Sequence, residues 1–158
     1  MSLEMQSLLE FFEEWISFTI TLQELDEVVW ESSIEPGKWA IRDIISHIML
    51  WDKYFYEEAV DRIASDKQVT IKHLNFDDFN SKAIIYGRTI STDELIEKTL
   101  FYRKRIIGDI RNLSEEAINR DYKDGDGNVF NVTQYLKDFI WHDQHHMNPL
   151  KEYLKTIT

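Results

Sequence analysis

The chain has no cysteine, which removes disulfides, thiolate nucleophiles and Cys-ligated zinc at once. A metal site would have to be built from nitrogen and oxygen, and thiol chemistry would need a thiol from outside. Proline and glycine are scarce, with two and five among 158 residues. Segments between breaks are therefore long, which favours helices. Positive charge is in deficit too: 18 Lys and Arg against 29 Asp and Glu give a formal net charge of -11. Repulsion from phosphate argues against nucleic acid or an anionic membrane surface as a partner. The one basic run, "FYRKRIIGDIR", reads as a solvated helix face. No segment approaches the roughly 18 apolar residues of a transmembrane helix. "MSLEMQSLLEFFEEW" carries acidic residues where a signal peptide needs basic ones. A soluble cytoplasmic protein is the expectation.

What is present is an ordinary globular balance, 43% hydrophobic and 30% charged, with a length that suits one domain over residues 1–158. Aromatics reach 13% and include five Trp, enough for a bulky core or an aromatic-walled pocket. Trp39, Trp51 and Trp141 are candidate pocket walls.

Periodicity divides the chain into helices. Leu8, Leu9, Phe12, Trp15, Ile16, Thr19, Leu22 and Leu25 recur in steps that fit one buried stripe, predicting a helix over residues 2–30. Pro36 and Gly37 break the pattern. A second helix is expected over residues 40–64, with Ile41, Ile44, Ile48, Trp51 and Phe55 on one side. A short helix over "DDFNSKAIIYG" follows a polar connection. "STDEL" opens a third long helix to about residue 112, with Ser91 or Thr92 as its cap. "SEEAINRDYKDGDGNVF" reads as a turn and a loop or small hairpin; its Asp124, Asp126 and Asn128 lack the downstream Glu of a calcium loop. The last helix starts after Asn131 or Thr133 and runs to about residue 155. The expected fold class is all-α, an antiparallel-type four-helix bundle.

The last helix carries the chemistry. Val132, Tyr135, Phe139, His142, His146, Leu150, Tyr153 and Ile157 follow in steps of three or four, so two histidines interrupt an apolar stripe one turn apart. Residues at that spacing share a helix face, close enough for two imidazoles to share a cation. His145 falls to the side. A third ligand must come from elsewhere, and His47, in "IRDIISHIMLWD", flanks the buried side of the second helix. His73 lies in the polar connection, where a surface histidine needs no explanation. Facing helices of a bundle routinely build metal sites from inward side chains, which makes His47 the natural third ligand. Asp43 and Asp138, each one turn before a proposed ligand, could take the second ring N–H of a histidine. "HDQHH" also reads as H-D-x-x-H, one methylene short of the H-E-x-x-H of zinc proteases. No downstream ligand supports that alternative.

With "EPGKWAIRDIISHIMLWD" and "HDQHH" both in hand, the chain resembles the DinB/YfiT-like superfamily of small bacterial four-helix proteins. The first motif is similar to that family's Pro-Gly-Lys-Trp entry into its second helix, followed by a histidine and an aromatic. The second is similar to its H-x-x-x-H on the last helix. The resemblance implies a divalent metal, zinc or nickel, held by His47, His142 and His146. It also implies a hydrolase or thiol S-transferase acting on a small electrophilic compound, with a low-molecular-weight thiol as a possible cosubstrate and a homodimer as a possible assembly. A non-catalytic metal- or ligand-binding bundle is the alternative. Relatives often carry Gly-Gln shortly after the second histidine of that helix, where this chain has Asn148-Pro149. Pro149 cannot donate to the carbonyl of His145, so a kink beside the pocket is expected.

Overall fold

The computed structural model describes residues 1–157. Its first helix, α1 (Leu3–Thr21), is capped by Ser2, whose hydroxyl accepts the Met5 N–H. It buries Met5, Leu9, Phe12, Trp15, Phe18 and Thr19, the stripe anticipated from the sequence. The helix does not run on to Trp30 as that stripe suggested. Leu22–Glu24 tighten into a 3-10 turn, Leu25 is extended, and a short α2 (Glu27–Trp30) follows. The break folds Trp30 back onto Trp15, Phe18 and Leu22, so that both indoles are fully buried in one cluster.

Glu35–Lys38 form a turn in which the Lys38 N–H donates to the Glu35 carbonyl at 3.1 Å. Pro36 stands at its second position, and Gly37, with φ +77°, supplies the left-handed conformation required at the third. The chain then enters α3 (Ile41–Phe55). Every residue from Ile41 to Met49 is buried, so α3 is the central helix. It continues through a wider π-type turn, Tyr56–Val60, into α4 (Asp61–Ala64), matching the single long helix expected there.

The next helix, α5 (Phe76–Gly87), is capped by Asn75. It ends so close to α3 that a Cβ at Gly87 would lie 1.8 Å from Ser46 Oγ. Ser91 caps α6 (Thr92–Arg111) through the Glu94 N–H. A short α7 (Glu115–Asn119), capped by Ser114, precedes a hairpin of β1 (Tyr122–Lys123) and β2 (Val129–Phe130). In the hairpin, Asp124 accepts the N–H groups of Asp126 and Asn128, so its carboxylate shapes the turn. Asn131 then caps α8 (Val132–Ile157).

Four long helices, α1, α3, α6 and α8, make the bundle. α3 packs chiefly on α5 and α6 and α8 chiefly on α1, while α3 meets α8 through side-chain rings, Phe55 against Tyr135 and Phe139. Helix α8 stays helical through Pro149, the residue at which a kink was expected. His145 and Pro149 are both exposed, so the carbonyl deprived of its helical donor lies on the solvent side. Among the described residues, no helix is long and apolar enough to cross a membrane.

Candidate metal centre

Most of the entry motif serves to aim α3. Asp43 accepts the Ala40 N–H and the Arg88 guanidinium. Arg42, nearly buried, donates to Glu31, Glu27, Thr92 and the carbonyls of Gly87 and Ile90. Asp43 is thus committed to a helix cap and an ion pair, and it does not orient His47. That task falls to the backbone: His47 Nδ1 lies 2.5 Å from the Ile44 carbonyl, which makes it the donor and leaves Nε2 as the nitrogen the ring can offer. Asp138 is exposed and accepts from Gln134, so it orients no histidine either.

Across from His47, α8 presents His142 and His146. Ring centroids are 5.3 Å apart for His47–His142, 4.6 Å for His47–His146 and 4.7 Å for His142–His146. One nitrogen from each lies within 4.8 Å of the other two. His47 is buried and the pair on α8 half-buried. The buried row of α8 is in fact Val132, Leu136, Asp143, Met147 and Leu150, with Tyr135 beside it. The two histidines therefore run along the edge of the core, and His146 borders a cleft.

Electrostatics keep the rings neutral. Burial, then the neighbouring His146 and His142, holds His47 well below the ordinary histidine range. Burial, then His146, Arg103 and His145, pushes His142 down to about 3. Burial and then His145 push His146 down to about 4. Three uncharged imidazoles have lone pairs to give at neutral pH. The buried His142 Nδ1 has no hydrogen-bond partner, an expensive condition unless a ligand satisfies it.

A cleft of about 390 Å³ opens beside His146, walled by Trp39, Ile44 and Pro149 with exposed Lys38 and Glu35. Trp39 lies 4.8 Å from His47 and stacks on His146 at 6.4 Å. Of the three tryptophans proposed as walls, it alone lines this cleft. Trp51 stacks on Phe79 at 3.9 Å and donates to Asn80. Trp141 is 66% exposed and stacks on His145 at 5.1 Å. His145 stays exposed, edge-on to His146, and His73 is exposed on the segment before α5. A larger groove, about 490 Å³, runs between α1 and the end of α8 and is lined by none of the histidines.

The basic run on α6 is not one solvated face. Lys104 and Arg105 are exposed as expected, but Arg103 is completely buried. Its Nε and Nη2 donate to Asp52 and its Nη1 and Nη2 to Asp143, at 2.7 to 3.2 Å. The remaining Nη1 hydrogen reaches the Phe12 carbonyl at 3.0 Å. Burial opposes its charge, but Asp143 and Asp52 outweigh that and raise Arg103 above its usual value. Burial also raises Asp143, to about 6, against the pull of Arg103. Asp143 is thus turned into the core rather than toward the imidazoles, which disposes of it as the general base of an H-D-x-x-H protease.

An all-α bundle in which two helices bring three neutral imidazoles together beside an open cleft is a scaffold equipped to hold a cation. The chain belongs to the DinB superfamily, whose family model matches residues 10–149. A Bacillus licheniformis protein provisionally named a metal-dependent hydrolase is 23% identical over 135 residues, covering 85% of this chain and 75% of that protein. In structure the chain is similar to YfiT from Bacillus subtilis, described as a probable metal-dependent hydrolase with an unusual four-helix bundle topology. The TM-score is 0.77 at 14% identity, over 99% of this chain and 90% of YfiT. It is also similar to a mycothiol-dependent maleylpyruvate isomerase, with a TM-score of 0.71 at 16% identity, over 95% of this chain and 63% of that one.

Proposed function

We propose that this protein is a divalent-metal-dependent enzyme of the DinB type, with His47, His142 and His146 as ligands. Its substrate is a small electrophilic compound, which it hydrolyses or joins to an external thiol. The observation that carries this reading is the convergence of three neutral imidazoles with one buried nitrogen left unpartnered. Nitrogen ligands without cysteine suit zinc or nickel. One nitrogen from each ring lies within 4.8 Å of the other two, so His47, His142 and His146 would hold such a cation together. When bound, the cation supplies Lewis-acid chemistry, making water or a thiol nucleophilic at neutral pH.

The chain's own part is to hold and to shield. Ile44 fixes the His47 ring through its carbonyl, burial keeps protons off the imidazoles, and Trp39 presents an aromatic wall to the substrate. The chain has no thiol of its own, so a transferred sulfur must arrive with a cosubstrate. A non-catalytic metal-binding bundle is favoured by one observation: Asp143 is spent on Arg103 and offers no base to the triad.

Elemental analysis of the purified protein, beside His47→Ala, His142→Ala and His146→Ala, tests the site. Each variant should lose at least about 100-fold in zinc or nickel affinity, no less than outer-shell changes cost elsewhere. Full metal retention in all three would end the reading. Metal-loaded and stripped protein should then be compared on thiols with 1-chloro-2,4-dinitrobenzene and on ester substrates. Metal-dependent turnover supports the enzyme; its absence throughout favours the binding bundle.

A further inference from the structure

The imidazole cluster depends on the fit between two helices. His47 is on α3 and His142 and His146 are on α8; the backbones of these helices come close at few points, and beyond the imidazoles they meet through Phe55 against Tyr135 and Phe139, two turns along α3 from His47. A shift of an ångström between them would part His47 from its partners. The link that prevents such a shift lies directly behind the histidines. Asp52 sits just over one turn after His47 on α3, and Asp143 directly follows His142 on α8. Both carboxylates are gripped two-pronged by the same guanidinium, which arrives from α6.

We infer that Arg103 is the positioning residue of the metal centre, a buried fork that locks α3 to α8 in the register at which His47 meets His142 and His146. All five of its N–H groups are used: two on Asp52, two on Asp143 and one on the Phe12 carbonyl of α1. Its face also stacks 3.7 Å over the Phe12 ring. One planar group thereby fixes all four long helices, in directions as well as distances. Energetics favour this role over a simple stabilising one. A buried ion pair seldom outdoes well-packed apolar residues in stability, and its best-attested use is in specifying register. Lysine cannot replace it, because a single ammonium cannot fork two carboxylates and a carbonyl together.

This inference rests on the metal reading for one arm of its test, and a second arm is independent of metal. Arg103→Lys keeps the charge and loses the fork. The triple variant Asp52→Asn, Arg103→Met, Asp143→Asn removes all buried charge and so avoids unfolding from an unpaired carboxylate. Arg105→Met, on an exposed neighbour, serves as control. Cobalt(II) titration, read by affinity and by visible spectrum, should show at least about a tenfold loss in Arg103→Lys and in the triple variant, at the level of other outer-shell losses. Arg105→Met should match the parent. Imidazole 15N resonances of the metal-free proteins should move in the first two and stay in the third. These readings are taken where urea titration shows each protein fully folded, so lost stability alone does not move them. Parent-like affinity, spectrum and imidazole resonances in the triple variant would overturn the inference, because packing alone would then place the rings. If the parent itself binds no cobalt, zinc or nickel, the metal reading falls, and the imidazole resonances alone decide the role of Arg103.

Discussion

Two polar clusters share helices α3 and α8 in this bundle and are opposite in character. Arg103 spends all five of its N–H groups on Asp52, Asp143 and the Phe12 carbonyl, and each of these residues is buried. Around His47, His142 and His146 the rings are neutral, a cleft opens beside His146 and a buried nitrogen of His142 is left unmet. His142 belongs to one cluster and Asp143, the next residue, to the other. The difference separates two uses of buried polarity. A saturated network defines how helices lie against one another; an unsaturated one waits for something to complete it.

The contrast breaks most readily at its saturated side. Arg103→Met strands two carboxylates in the core and should cost about 3–5 kcal/mol of stability, read as a lowered urea midpoint. A loss under about 1 kcal/mol would mean that the network is wetter or looser than its geometry shows. At the open side, His142→Phe removes the unpartnered nitrogen. The metal-free protein should keep its stability or gain up to about 1 kcal/mol, while zinc binding collapses in the same preparation. A large loss without metal would make that imidazole a structural group after all.

The smallest expected effect is a near-absence of change. An imidazole at the ordinary value of 6.5 begins to lose metal to protons as pH falls through that value. Here His142 is pushed down to about 3 and His146 to about 4, and only the neutral ring binds. Competition therefore sets in only toward those lower values. Zinc affinity, followed by competition titration, should vary only a few-fold between about pH 8 and about pH 5.5. A tenfold drop between pH 7 and pH 6 would show rings open to water. Stability of the metal-free protein follows the same sign. The lowered histidine values favour the fold above 6.5, and that advantage is lost as pH falls toward 4 and 3. Asp143, raised to about 6, acts oppositely: its contribution is full below 3.8 and lost as pH rises through 6.

Much of this was legible from spacing. The four long helices, the pairing of His142 with His146 and two caps, Ser91 rather than Thr92 and Asn131 rather than Thr133 once the structure chooses, follow from periods of three and four and from capping chemistry. His47 was placed because it flanks an apolar row facing the bundle interior. The stop after Thr21 escaped notice because the apolar steps continue through Leu22 and Leu25 while the backbone leaves the helix. Arg103 escaped because charge was counted by run rather than by position. On α6 it falls in the buried row Ile96, Thr99, Arg103, Ile106 and Ile110. Asp52 likewise follows Ile41, Ile45 and Ile48, and Asp143 lies between Leu136 and Met147. One cation and two anions in the core rows of three helices are a pattern that a hydrophobic stripe alone discards.

The Glu35–Lys38 turn divides the molecule's labour. His47, His142 and His146 are carried by long helices that each bury a row of residues in the core, so they cannot move without disturbing the bundle. Trp39 reaches the same cleft from a short stretch between helices, beside exposed Glu35, Pro36, Gly37 and Lys38. That stretch can change length, charge or bulk while the helix packing stays as it is. A change of lining at Trp39 and a change of the three imidazoles are therefore separable by mutation: the first alters a turn, the second alters two long helices.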